Sequence, residues 1–234
     1  MKALLLAAGE GRRMRPLTQI MPKPLVPAAG VPLAVRQILA LRRAGIREIV
    51  MNVAYGSALI MQHLGDGRRW DVRIRYSVEG REAADALETL GGIAKALPML
   101  CDCADDAFIA AASDIVTDYD YAGLAARGRR LAEEGLDAHL VLVPNPAYHA
   151  SGDMTLDAEG RVKRCPKTHT FASFGVYRAG LFEGIPPVRA GLFPWLWHAA
   201  DRGRVSGEVF NGYWRNVGDL GELEACSREL LGDA

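Results

Sequence analysis

The chain has 234 residues, half of them apolar, so one ordinary domain can bury a sizeable core without disulfide or metal staples. Lysine plus arginine equals aspartate plus glutamate at 28 each, which excludes an overall field that would draw the chain to nucleic acid or to an anionic membrane. Any anion it binds must therefore meet a local site.

The opening residues MKALLLAAG offer only a short apolar run before Gly9. That is too brief for a secretory signal, and no stretch approaches the roughly 18 apolar residues of a membrane span. The expectation is a cytoplasmic protein. The cysteines Cys101, Cys103, Cys165 and Cys226 are too sparse for a disulfide scaffold and lack zinc-site spacing, which fits a reduced compartment.

In chain order, the apolar pattern switches between short runs and helical periods. It predicts a strand over 4–7, a helix over 33–44 and a strand over 48–53. A helix over 58–64, a strand over 72–76, a helix over 92–97 and a strand over 107–112 continue the rhythm. A helix over 121–134 and a strand over 138–143 complete it. Such alternation implies an α/β fold: a Rossmann-like, mostly parallel sheet with helices on both faces. After Pro144 the texture becomes α+β, with two short strands within 154–164, a strand over 171–178, and helices over 193–201 and 220–231. No repeat or linker divides the chain, so 1–234 reads as a single domain with halves of about 1–120 and 121–234.

In an open α/β sheet, ligands bind beyond the carboxyl ends of the strands, which directs attention to the loop leaving the first one. There AAGEGRRMRPLT carries Gly9 and Gly11, which let backbone N–H groups approach a ligand, and Arg12, Arg13 and Arg15, which add positive charge. A triphosphate suits such a loop. It is neither a Walker loop nor a dinucleotide fingerprint, since GxxxxGK[ST] and the third glycine are both missing. In MPKPLVP, prolines flank Lys23; Pro24 biases it toward an extended backbone, so its ammonium is expected on a stiff segment as an anion ligand.

LLLAAGEGRRMRPLT followed by PKPLVP resembles the signature of the sugar-1-phosphate nucleotidyltransferases. Within that family the chain is similar to the small bacterial N-acetylmuramate 1-phosphate uridylyltransferases of cell-wall recycling, through ALETLGGIAKALPML, TDYD, LDAHLVLVPNP and VSGEVFNGYWRNVGDLGELE. The resemblance implies a GT-A-like fold, an Mg²⁺ cofactor, a nucleoside triphosphate (UTP) and a sugar 1-phosphate as partners, no nucleic acid or membrane partner, and a monomer or small homo-oligomer. It also implies roles. Ala7, Ala8 and Gly9 hold base and ribose, Gly11 and Arg13 bind the triphosphate, and Lys23 bridges the reacting phosphates. Glu79 and the 89–92 turn, with Thr89 and Gly91, line the base pocket. Asp114 ligates Mg²⁺, and the sugar lies near Gly152 and the 171–176 segment, with Ser173 and Gly175. Arg13, Lys23 and Asp114 form the catalytic set.

The chain departs from the family pattern near the chemistry. WRNVGD places Asn216 where a second metal-binding Asp is usual and Asp219 where a Thr is usual, so one formal charge is missing, with Asp219 the candidate to compensate for it. Ala112 stands where an Asn is usual. Leu90 replaces a small residue beside an apparent insertion in REAADA, which is expected to crowd the base pocket. A non-catalytic binding or regulatory protein on the same fold is therefore a rival reading, as is an enzyme for mannose, glucose or heptose 1-phosphate. The five histidines lack HxH or HExxH spacing, Ser113 lacks a G-x-S-x-G elbow, and Phe193 and its aromatic neighbours read as helix packing.

Overall fold

A computed structural model describes residues 1–104 and 106–232. The first half runs through strand β1 (Lys2–Leu6), helix α1 (Leu17–Ile20), the hairpin β2 (Pro27–Ala28) and β3 (Val31–Pro32), and helix α2 (Leu33–Arg43). It continues with β4 (Glu48–Val53), α3 (Ser57–Leu64), β5 (Arg73–Val78), α4 (Glu88–Leu100), β6 (Ala107–Ala112) and β7 (Ile115–Thr117). Then come α5 (Tyr121–Gly128), β8 (Ala138–Pro144), the small hairpin β9 (Thr155–Leu156) and β10 (Val162–Lys163), and the long β11 (His169–Arg178). The chain closes with α6 (Leu192–Trp195), α7 (Trp197–Asp201), β12 (Val205–Val209), β13 (Trp214–Asn216) and α8 (Leu220–Leu231).

Seven strands form one sheet in the order β12-β8-β11-β6-β1-β4-β5. All neighbours pair in parallel except β11, which runs antiparallel to both β6 and β8. The sheet is thus mostly parallel, as the alternation implied. Side chains on successive strand residues point to opposite faces, and the core divides accordingly. Ala3 and Leu5 of β1 join Ile38 of α2, Ile60 of α3 and Leu124 of α5 on one face. Leu4 joins Ile93 and Ala96 of α4 and Leu196 on the other.

Several elements differ from the sequence pattern, among them α1, the β2–β3 hairpin, β7 and β13, which it did not announce. The helix expected to reach residue 134 stops at Gly128, where an added Cβ would lie 2.5 Å from Val176 and 2.6 Å from Met1, and turns follow. The 89–92 turn is the first turn of α4, which continues past Pro98. The helix expected over 193–201 breaks at Phe193 (φ −99°, ψ 140°). Finally, β12 is an edge strand that the apolar pattern did not announce, since only Val205 and Ser206 of its five residues are buried.

His139 on β8 is 5 % exposed, with Nδ1 2.8 Å from Ser206 Oγ. Burial, helped by the Arg127 guanidinium, pushes its pKa from 6.5 down to about 4. Below about 6.5 the unfolded chain therefore binds more protons than the folded one, and stability falls as pH drops through the window from 6.5 to about 4. Urea unfolding at pH 7.5 and 4.5 is expected to show wild type losing about 2 kcal/mol more than His139→Gln; equal losses would contradict this placement.

Candidate active site

Two strands end side by side at the middle of the sheet, β1 and β6, and the segments that follow them carry the charged residues. A small third core binds these segments together from beneath: Met14, Val26, Ala28, Leu33, Val116, Val217 and Cys226. Met14 belongs to the loop after β1, Val26 to the segment of Lys23, Val116 to β7 beside Asp114, and Val217 to the turn after Asn216. Met14, Val26 and Val217 are wholly buried, and such burial contributes ~1.5–3 kcal/mol per side chain. The strand β13 pairs antiparallel with β7, setting Asn216 opposite Ile115, and Val217 N–H donates to the Asp114 carbonyl at 3.0 Å. Asp114 and Asn216 are thereby fixed beside each other.

Lys23 Nζ meets Asp114 Oδ2 at 2.5 Å, with side chains 12 % and 23 % exposed. The segment is not extended: Lys23 opens a 3-10 turn in which Leu25 N–H donates to Pro22 O and Val26 N–H to Lys23 O, and these bonds outweigh the bias from Pro24. Gly11 (φ +69°) makes the adjoining loop possible. A Cβ there would lie 3.1 Å from Lys23 Cβ and 3.0 Å from Thr18 Cγ2, so glycine both adopts the left-handed turn and lets the loop pack on the lysine stem.

The three loop arginines are not equivalent. Glu10 pairs with Arg12 Nε at 2.5 Å and with Arg15, and those two guanidiniums hold its carboxyl below the usual carboxylate range, the hydrogen bond from Arg12 being the largest cause. Arg13 has no such partner among the described residues. Its guanidinium lies flat over Gly218, where a Cβ would approach it to 3.1–3.3 Å. Tyr148, which sequence reasoning missed, sits within electrostatic reach of this group. Burial raises its pKa first of all, Glu222 and Asp114 raise it further, and Arg215 and Arg13 oppose them.

Ala7, Gly9, Lys23, Thr89, Asp114 and Ser173 line a cavity of about 420 Å³. Its apolar wall comprises Leu6, Ala112, Phe171, Leu192 and Phe193, so Phe193 faces the cavity instead of packing in a helix as expected. Ser173 adopts φ +64° in an irregularity of β11 between Phe171 and Gly175, a strained conformation for a residue with a side chain and one found at ligand sites. Other expected residues lie outside the lining. Ala8 is buried beside it, 7 % exposed. Gly175 lies within the sheet against the His139 carbonyl, and Gly152 packs on Asn145 and the Lys167 carbonyl. Gly91 packs on the Val188 carbonyl, and its N–H and that of Leu90 donate to Ala190 O. Leu90 itself does not crowd the cavity; it is 5 % exposed within the core on the α4 face of the sheet.

The end of β1 is also tied sideways. Ala7 N–H donates to Asn52 Oδ1 at 2.8 Å, Asn52 Nδ2 donates to Glu79 Oε1 at 2.7 Å, and Leu87 N–H donates to Glu79 Oε2 at 2.7 Å. The 81–86 segment is ordered by reciprocal capping between Glu82 and Asp85, and Arg189 donates to the carbonyls of Ala86 and Ala83.

A nucleotidyl transferase family model matches residues 2–231. This chain belongs to the nucleotidyl transferase family. The N-acetylmuramate alpha-1-phosphate uridylyltransferase of Neisseria meningitidis serogroup B is 40% identical over 230 residues, which cover 96% of each chain. The protein of the same name from Caulobacter vibrioides is 33% identical over 93% of this chain and 91% of its own. The fold matches a putative glucose-1-phosphate thymidylyltransferase from Bacillus anthracis, solved in complex with sucrose, with a TM-score of 0.83 at 17% identity, covering 100% of this chain and 96% of that one.

In this nucleotidyl transferase the two departures at the chain's end have different consequences. Asp219 is the N-cap of α8 and its carboxylate accepts from Glu222 N–H at 2.9 Å, so it supplies a helix cap and not the missing charge. Asn216 Oδ1 is buried and has no hydrogen-bond partner, an oxygen left over beside the Asp114 carboxylate. Among the described residues no cluster of three His, Cys, Asp or Glu side chains stands ready to hold a metal. No described helix is long and apolar enough to cross a membrane.

Gly218→Ala tests the seat of Arg13. The flexible guanidinium can move aside, so the melting temperature is expected to stay within about 2 °C while kcat/KM for the nucleotide falls roughly tenfold. An unchanged kcat/KM would mean that Arg13 does not act from this position.

Proposed function

We propose that this chain is a uridylyltransferase that joins UTP to N-acetylmuramate 1-phosphate, releasing pyrophosphate and leaving the nucleotide sugar. The observation that carries this reading is the meeting of Lys23 Nζ and Asp114 Oδ2 at 2.5 Å on the wall of the cavity, with Arg13, which has no carboxylate partner among the described residues, in the adjoining loop. The relatives from Neisseria and Caulobacter, which match nearly the whole chain, guide the choice of nucleotide and sugar.

The reaction needs no protein nucleophile. An oxygen of the sugar phosphate, already anionic, bonds to the α-phosphorus of UTP, and the bond from that phosphorus to the bridging β-oxygen breaks, so that pyrophosphate leaves with the electron pair. The protein must hold two mutually repelling anions in line and neutralise charge growing on the departing group. Triphosphate oxygens offer Lys23 the same kind of partner as the carboxylate it now holds. Arg13, whose charge no carboxylate neutralises, serves the same end.

Asp114 and Asn216 fit Mg²⁺: one carboxylate and one unpartnered buried amide oxygen are hard oxygen donors, and this cation takes its remaining ligands from phosphates and water. Bound there, it would supply Lewis-acid charge to the reacting phosphates.

Pyrophosphate release, measured with each NTP and a panel of sugar 1-phosphates in the presence of Mg²⁺, is expected to be fastest with UTP and N-acetylmuramate 1-phosphate. Faster turnover of mannose, glucose or heptose 1-phosphate would overturn the sugar assignment, and no release with any pair would leave a binding protein on this fold. Lys23→Ala is expected to lower kcat by about 10²–10³ with little change in melting temperature. Asn216→Asp is expected to reach half-maximal rate at roughly tenfold less Mg²⁺, because a carboxylate binds a hard dication better than an amide. An unaltered Mg²⁺ requirement would remove Asn216 from the metal site.

A further inference from the structure

We infer that Asn52 is a positioning residue that couples the nucleotide-binding end of β1 to the segment leading into α4, and so sets affinity for the triphosphate without touching it. This rests on the function proposed above. Asn52 is the last buried polar residue of β4, 3 % exposed, and β4 lies next to β1 in the sheet. Both ends of its amide are committed. The oxygen accepts from Ala7, whose backbone lines the cavity, and the nitrogen donates to Glu79, whose second oxygen accepts from Leu87 just before Thr89.

The chain of bonds has a fixed polarity. Ala7 and Leu87 can only donate through their N–H groups, so the two side chains between them must present an acceptor at each outer end and one donor in the middle. Asparagine followed by glutamate satisfies this. So does aspartate followed by glutamine, with the middle donor moved to the second residue, whereas each single exchange leaves two acceptors or two donors facing each other in a buried place. The helix α4 closes on the pair so tightly that a Cβ at Gly92 would lie 2.6 Å from Glu79 Oε1 and 2.8 Å from Asn52 Nδ2. On that side little room is left to absorb a mismatch. A shift of Ala7 then moves the first strand's end relative to Lys23 and the rest of the cavity.

The test is a polarity swap. Asn52→Asp, Glu79→Gln and the double variant are compared with wild type for UTP binding by calorimetry, for the KM of each substrate, and for melting temperature. Asn52→Asp is expected to weaken UTP binding about tenfold, the scale of a buried hydrogen bond turned repulsive, while KM for the sugar 1-phosphate stays within about twofold. The double variant is expected to return to within about threefold of wild type for UTP. A merely structural role would lower the melting temperature and raise neither KM selectively. Unchanged UTP binding in Asn52→Asp, or a double variant no better than the single one, overturns the inference alone. Failure of wild type to bind UTP or any other NTP would defeat the proposed function and this inference together.

Discussion

Lys23 and Asp114 are separated by 91 residues of chain, yet their side chains close to 2.5 Å. Opposite charges this near, about one-fifth exposed or less, attract strongly only because the backbones that carry them are already held in place. Their seat is the third core, where Met14, Val26, Val116 and Val217 draw four otherwise separate segments onto one apolar cluster. Remove that cluster and the phosphate loop, the lysine turn, the aspartate and the asparagine each become independent surface loops. Pre-organisation of this kind matters for phosphoryl transfer, because positioning and charge neutralisation are most of what a protein can contribute to it.

The site is also economical in its use of charge. Of the three arginines in the loop, two are held by Glu10, and Arg13 has no such carboxylate partner among the described residues. Asp219 is committed to a helix cap, and Asn216 brings an oxygen without a charge. Among the described residues, the Asp114 carboxylate therefore stands with the Lys23 ammonium and the Arg13 guanidinium, a charge balance that suits polyanionic substrates.

Much of this was legible in the residues. The β1 loop and Lys23 announced themselves because glycines, flanking prolines and charges after a strand have direct local meanings, whereas Asp114 was singled out by the resemblance to the family. The sheet followed from alternation, since buried parallel strands such as LLL and IVMNV carry their own signal. What escaped depends on distant partners. The pairing of Glu10 with Arg12 and Arg15 cannot be told from three solvated arginines by spacing alone. Ser173 reads as an ordinary strand residue, and its positive φ is set by unequal pairing of β11 with its two neighbours. Leu90 looked like an obstruction because its place in the sequence is next to the pocket, but helical geometry turns it to the opposite side. Asn52 gave no signal, since a polar residue at a strand's end is common and its two partners lie 45 and 27 residues away.

The most direct measurement of the central interaction is a crystal structure of the chain with UTP bound. The account predicts that Lys23 Nζ leaves the Asp114 carboxylate and contacts a triphosphate oxygen, with the nucleotide seated against Ala7 and Gly9. A triphosphate bound elsewhere, with the Lys23–Asp114 pair intact, would contradict it.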